Sequence, residues 1–268
     1  MAGENPFQHA STRVIALASG KGGVGKSSVT TNLAVTFARM GKQVAALDAD
    51  VWGFSMPRML GVDQSPEVVD DRIMVPPSGH GVRLISMGFF VPEDQAVIWR
   101  GPMLHKALEQ FLTDVDWGEP DYLFVDMPPG TGDVSLSLAQ FLPRAEVVIV
   151  TTPQPAAQAV AQRAAAMAAK VELDVIGVVE NMSYFRGDDG KAYEIFGSGG
   201  GEELAGRLGV PLFGRVPLVP ELREGGDSGL PVVEADPEGE PARVFTEIAA
   251  QIEAVAPRRI YRKELRLS

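Results

Sequence analysis

An octapeptide near the amino terminus, Gly20-Lys21-Gly22-Gly23-Val24-Gly25-Lys26-Ser27, constrains this chain more than any other stretch. It fits G-x-x-x-x-G-K-[ST], a loop that works between a buried strand and the helix that follows it. The flanks agree with that placement. Residues 13–19, Arg-Val-Ile-Ala-Leu-Ala-Ser, read as a short buried strand. Residues 27–40 read as a helix, with Val29, Leu33, Phe37 and Met40 along one face. Glycines let successive backbone N–H groups approach phosphate oxygens closely, and the helix N-terminus adds partial positive charge. A nucleoside triphosphate is the ligand this chemistry suits. Lys26 is expected to reach its β- and γ-phosphates and the Ser27 hydroxyl to ligate Mg2+. Gly20, Lys21, Gly22, Gly23, Val24, Gly25 and Ser28 are expected to complete the nucleotide cradle.

The rest of the chain repeats the strand–helix alternation. Apolar runs at 13–19, 43–48, 121–126, 146–151, 174–180 and 211–216 read as strands. Segments 27–40, 102–114, 134–142, 155–170, 200–208 and 239–255 read as helices. Near-continuous Val/Ile/Leu strands separated by helices predict an α/β fold, a mostly parallel central sheet covered on both faces. Residues 72–75 and 82–87 are expected to form an extra hairpin. No linker or repeat splits the 268 residues, so one domain is expected over 13–256, after a flexible leader at 1–12 and before a basic tail at 257–268. The alanine-rich stretch 156–169 reads as a tightly packed helix. The segment Gly197-Ser-Gly-Gly-Gly-Glu-Glu203 lacks a Lys-Ser pair and reads as a turn into a helix rather than a second phosphate loop.

Composition narrows the function. A net charge of −11 argues against nucleic acid as a partner. No signal peptide and no apolar run of membrane-spanning length is present, so no stable membrane insertion and a cytoplasmic location are expected. The chain has no cysteine, which excludes disulfides, a Cys nucleophile and thiolate ligation of a metal by these residues. His9, His80 and His105 share no metal-ligand spacing.

Carboxylates stand where strands should end. Leu47-Asp48-Ala49-Asp50 closes the second strand, and alternation predicts that Asp48 and Asp50 point the same way into the ligand crevice. One is suited to holding Mg2+ through water, the other to positioning the attacking water. Leu123-Phe124-Val125-Asp126 closes another buried strand with an acid of Walker B type, placing Asp126 near Mg2+. The turn Met127-Pro128-Pro129-Gly130 follows directly, and the Gly130 N–H is suited to sensing a γ-phosphate.

Together these segments resemble the Mrp/ApbC branch of the MinD/ParA class of P-loop ATPases, whose deviant Walker A loop carries a lysine at the position of Lys21. The run Asp126-Met-Pro-Pro-Gly-Thr-Gly-Asp133 is its most specific mark, with Trp99-Arg-Gly-Pro-Met103, Glu180-Asn-Met-Ser-Tyr-Phe185, Val216-Pro-Leu218 and Arg223-Glu-Gly225 in support. The likeness spans roughly residues 10–255. It implies a homodimer that hydrolyses Mg-ATP to ADP and phosphate, and a role in assembling iron–sulfur clusters or passing them to client apoproteins. Lys21 would reach the partner's nucleotide, Asp50 would orient the hydrolytic water, and Asp48 and Asp126 would serve magnesium. Asn181 would read the adenine, with the backbone at Pro217 lining the base. In that branch a Cys-x-x-Cys pair follows the Asn-Met-Ser segment; here the stretch is Arg186-Gly-Asp-Asp-Gly-Lys191. Many relatives also carry an amino-terminal accessory domain that these residues do not include. The alternative is an ATP-switched regulatory or positioning ATPase of MinD/ParA type that carries no cluster.

Overall fold

A computed structural model describes residues 5, 7, 11–51, 53–69, 73–90, 101–130 and 132–255. Trp99, Arg100, Thr131 and the tail expected at 257–268 lie outside them. In chain order the first half holds β1 (Arg13–Ala18), α1 (Lys26–Arg39), β2 (Val44–Asp48), α2 (Met56–Met59), β3 (Glu67–Val69), β4 (Ile73–Val75), β5 (Ser78–Gly79), β6 (Val82–Ser86), α3 (Gly101–Thr113) and β7 (Tyr122–Asp126). The second half holds α4 (Gly132–Phe141), β8 (Glu146–Thr151), α5 (Pro155–Lys170), β9 (Asp174–Glu180), β10 (Phe185–Arg186), β11 (Ala192–Tyr193), α6 (Gly200–Leu208), β12 (Leu212–Arg215), α7 (Pro220–Ser228), α8 (Val232–Ala235) and α9 (Glu240–Ala254).

Among the described residues the central sheet has eight strands in the order β12-β9-β8-β1-β7-β2-β6-β5. All pairings are parallel except that of β5 with β6. β1 sits in the middle, and the chain winds outward from it in both directions. That makes the carboxyl end of β1 a topological switch point, where a crevice opens between diverging connections. The glycine loop leaves β1 there.

The long strands of the central sheet each feed two cores, as the continuous apolar runs require. In β1, Val14, Ala16 and Ala18 join the face covered by α3, α4, α5 and α6, whereas Ile15 and Leu17 join the face covered by α1 and α9. On the second face Phe37 packs its ring 4.4 Å from that of Tyr122 and 5.3 Å from that of Phe124. Burying rings of this size anchors α1 firmly, and the phosphate loop is the leader of α1. Within the expected leader, Phe7 is buried with its ring edge-on to Trp117. The Asn5 amide donates to the Phe141 carbonyl.

Two features depart from the sequence expectations. The hairpin of 72–75 with 82–87 does not form. β4 pairs antiparallel with β3, whereas β6 pairs parallel with β2 inside the main sheet. Val82, Leu84 and Ile85 are all buried, so β6 has two covered faces and belongs to the interior. The short helices α2, α7 and α8 were not expected; each is too brief or too polar for periodicity to mark it. No described helix is long and apolar enough to cross a membrane.

Candidate active site

The phosphate loop is held from below and behind by close packing. A Cβ on Gly20 would lie 2.1 Å from the Val160 carbonyl carbon, so α5 packs directly against the loop backbone. Gly25 caps α1 in the left-handed conformation, with φ of 76°. A Cβ there would meet the Asn181 amide nitrogen at 2.2 Å. Both positions therefore require glycine for reasons beyond the motif. The small residues of α5 are what allow the approach at Gly20, as the tight-packing reading of 156–169 implies.

Three polar side chains converge at the start of α1. Lys26 Nζ lies 2.7 Å from Asp126 Oδ2 in a buried ion pair. The Ser27 hydroxyl donates to the same Asp126 oxygen at 2.5 Å. Thr30, one turn on, sits 2.7 Å from Asp126 Oδ1 and 2.9 Å from the Lys26 carbonyl. Asp126 is fully buried. A carboxylate survives such burial when cation and hydroxyl partners fill its lone pairs, and these do. Ser27 and Asp126 are hard oxygen donors on one spot, the donor type Mg2+ takes. Thr30 escaped sequence reasoning; its signal is its place one helical turn beyond Ser27, facing the same strand end.

The two acids expected to point together do not. Strand geometry ends at Asp48, and the turn that follows breaks the alternation. Asp50 lines the phosphate cavity with Lys21, Ser28, Ser55 and Pro129. Asp48 turns beneath it. One Asp48 oxygen accepts the Asp50 N–H at 3.2 Å; the other accepts the Ser55 and Met56 N–H groups and the Ser86 hydroxyl at 3.1–3.2 Å. Asp48 thus anchors the 49–56 loop that carries Asp50. Burial pushes its carboxyl up to about 7, with the Asp126 charge adding to the shift, while the Met56 N–H, Lys26 and the Asp50 N–H pull it back.

Other predicted residues occupy defined places. Lys21 Nζ stands 3.4 Å from Gln154 Oε1, at the start of α5. The Gly130 N–H donates to the Ser19 carbonyl at 3.1 Å, so in this structure the expected phosphate sensor is tied to the strand end. The Asn181 amide donates to the Val24 carbonyl at 2.8 Å, joining the end of β9 to the phosphate loop.

The phosphate cavity, about 360 Å³, continues into a second of about 350 Å³, with Gly25, Ser28, Ser55 and Met59 on both walls. Met182, Pro217, Leu218 and Leu222 give the second cavity an apolar wall beside the Asn181 amide, and Arg58, Arg223 and Asp227 add charged groups to its lining. A flat, largely apolar ligand with polar edges, such as a purine base, suits apolar side chains with a few placed polar groups. Asn181 and Pro217 are therefore brought to the loop despite lying more than 150 residues away in sequence.

The stretch 186–191 forms the tip of the β10–β11 hairpin. Asp189 accepts the Lys191 N–H at 3.0 Å and the Tyr193 hydroxyl at 2.9 Å, which hold its carboxyl below the ordinary value. It closes its own turn. Among the described residues no group of three or more His, Asp or Glu side chains is placed to hold a metal ion.

Comparison with known proteins agrees with this architecture. A sequence model of the ParA-type "NUBPL iron-transfer P-loop NTPase" family matches residues 10–253. The chain belongs to that family. It is 52% identical over 228 residues to the iron-sulfur cluster carrier protein of Mycobacterium leprae, covering 83% of this chain and 59% of that protein. The chain thus spans about three-fifths of that relative's length. Among solved structures, a nucleotide-binding protein from Archaeoglobus fulgidus in complex with ADP superposes with a TM-score of 0.71 at 37% identity, covering 81% of this chain and 86% of that one. The cell division ATPase MinD of Pyrococcus furiosus gives 0.68 at 27% identity, covering 91% and 99%. The expected fold and the MinD/ParA resemblance are both borne out.

Proposed function

We propose that the chain binds and hydrolyses Mg-ATP as a homodimer, and that this cycle drives iron–sulfur cluster assembly or transfer. The observation that carries the first part is the convergence of Lys26, Ser27 and Asp126 at the mouth of a glycine loop, with Asp50 on the facing wall. Ser27 and Asp126 fit Mg2+ as hard oxygen ligands. Magnesium, when bound, offsets phosphate charge as the bond to the leaving oxygen breaks.

The protein's own groups do the rest. Lys26 leaves Asp126 for the β- and γ-phosphates. Lys21 leaves Gln154 and reaches the nucleotide of the partner subunit, so two half-sites complete each other. Asp50, braced through Asp48, orients water in line with the γ-phosphorus. Attack breaks the bond between the γ-phosphorus and the bridging oxygen, leaving ADP and phosphate. The Gly130 N–H exchanges the Ser19 carbonyl for a γ-phosphate oxygen while ATP is bound, and returns after hydrolysis. That return loosens the dimer and changes affinity for a client.

The name of the Mycobacterium leprae relative and of the matching family supports the cluster role. The chemistry assigns this chain a particular share of it. With no cysteine, it offers no thiolate for iron, and Asp189, in the stretch where the family's Cys-x-x-Cys stands, closes its own turn. The cluster is therefore cargo held by thiolates from elsewhere, and the chain supplies the nucleotide switch.

The test is transfer of a glutathione-held [2Fe-2S] cluster to an apoferredoxin, followed by visible circular dichroism with and without Mg-ATP. Acceleration that needs both the chain and ATP, with no iron retained by the chain alone, supports the reading. ATP turnover with unchanged transfer assigns the chain to the regulatory, cluster-free alternative.

A further inference from the structure

We propose that Glu180 is a positioning residue for the base end of the nucleotide. The inference rests on the nucleotide reading above and deepens it. Glu180 ends β9 and is fully buried. One carboxylate oxygen accepts the Gly201 N–H at 2.5 Å and the other accepts the Ser183 hydroxyl. The half-exposed Arg215 places its Nε 3.8 Å away. None of these partners lines the phosphate cavity, and the proposed hydrolytic machinery leaves this acid unused.

What it holds is a strained turn. Asn181 and Met182 follow directly, and Met182 adopts φ of 55°, the left-handed region a side chain disfavours. The strain is fixed from three sides. The Asn181 N–H donates to the Thr151 carbonyl, the Ser183 N–H to the Val216 carbonyl, and the Val216 N–H to the Glu180 carbonyl, all at 2.8–2.9 Å. Glu180 adds the side-chain tie to Ser183, closing the turn on itself. The result sets Asn181 and Met182 on the wall of the second cavity beside Pro217, with the Asn181 amide fastened to the phosphate loop.

The glycine-rich segment before α6 now has a purpose. It is not a second anion site, because the N-terminus of α6 already faces the Glu180 carboxylate. Gly199 caps that helix with no side-chain bond of its own, so the acid supplies a cap from outside. A Cβ on Gly201 would meet the Glu180 Cβ at 2.7 Å. Gly201 must therefore be glycine for the helix to close over the acid.

The experiment is calorimetric titration of the full chain with ADP and, separately, with inorganic pyrophosphate, both with Mg2+. Pyrophosphate reads the phosphate loop alone; the ratio of the two affinities reads the base end. Glu180→Ala frees the turn and is expected to weaken ADP about tenfold while pyrophosphate stays within about twofold. Glu180→Gln is expected to lose about threefold for ADP: its carbonyl keeps the Gly201 N–H, and the Ser183 hydroxyl reverses to accept from the amide. Parallel loss for both ligands, or unchanged ADP affinity in Glu180→Ala, overturns the proposal. Where Glu180→Ala does not fold, Ser183→Ala removes one tie to the same carboxylate and must lower the ratio without moving pyrophosphate. Wild-type protein that binds pyrophosphate as tightly as ADP removes the base cavity itself, and Glu180 with it. Wild-type protein that binds neither removes the nucleotide reading.

Discussion

Thr30→Val tests the heart of the site at a residue the phosphate-loop motif does not name. The Thr30 hydroxyl has one proton and two acceptors in reach, Asp126 Oδ1 at 2.7 Å and the Lys26 carbonyl at 2.9 Å. The shorter contact to the charged acceptor wins the proton. Valine fills the same volume with nearly the same helix propensity, so the substitution removes the hydroxyl and little else. A hydrogen bond to a charged group contributes about 1.5–3 kcal/mol. Asp126 keeps Ser27 at 2.5 Å and Lys26 at 2.7 Å, so it is weakened rather than stranded. That sets the expected loss near the lower part of the range, at about 2 kcal/mol. For a chain of this size the midpoint should fall by roughly 4–8 °C in scanning calorimetry. Affinity for Mg-ADP should fall with it, because Asp126 loses one of the groups that aim it. Thr31→Val is the control: among the described residues that hydroxyl has the weak acceptor Met59 sulfur at 3.7 Å, and its loss should be nearly silent. A Thr30→Val protein that melts with wild type and binds Mg-ADP equally well would refute the assignment of Thr30 to Asp126.

Other consequences follow from particular contacts. Gly20→Ala drives a Cβ into the Val160 backbone, so α5 must retreat by about 1 Å; a large loss of midpoint and of ADP affinity is expected, and a neutral result would deny that packing. Lys26→Ala should abolish nucleotide binding by calorimetric titration. Asp48 has a folded value of about 7 against 3.8 unfolded, so the native state holds the extra proton between those values. Its stabilising share is complete below the unfolded value and is lost as pH rises through about 7. Urea unfolding from pH 5 to 8 should therefore show wild-type stability declining relative to Asp48→Asn; parallel profiles would remove the shift.

Much of this site was legible because local chemistry dictates it. Gly20–Ser27, the apolar run before it and the helix after it specify one another, and Asp126 ends a strand too apolar to be anything but central. The orientation of Asp48 was not legible. Strand alternation placed it beside Asp50, but the turn after Asp48 is set by Ser86 and by the N–H groups of Ser55 and Met56, which come from elsewhere in the chain. β6 was misassigned for a related reason: its neighbour β2 is decided by packing across the whole sheet, while sequence distance favoured a local hairpin. Glu180 and Gly201 are 21 residues apart and meet only because β9 and α6 pack together. No periodicity announces such a pair.

The central claim is that each catalytic site is shared between two subunits, and mixing two inactive variants tests it most directly. Lys21→Ala should bind ATP without hydrolysing it, lacking the lysine its partner needs. Asp50→Ala should bind ATP and persist as a dimer, lacking the group that orients water. Mixed before ATP is added, half of the dimers formed should pair one of each. In those, the nucleotide on the Lys21→Ala subunit has its own Asp50 and the partner's Lys21, so one site of two is whole. The mixture should recover about a quarter of wild-type phosphate release from two parents that have none. Mixed dimers that form, shown by differential tagging, and remain inactive would contradict the shared site.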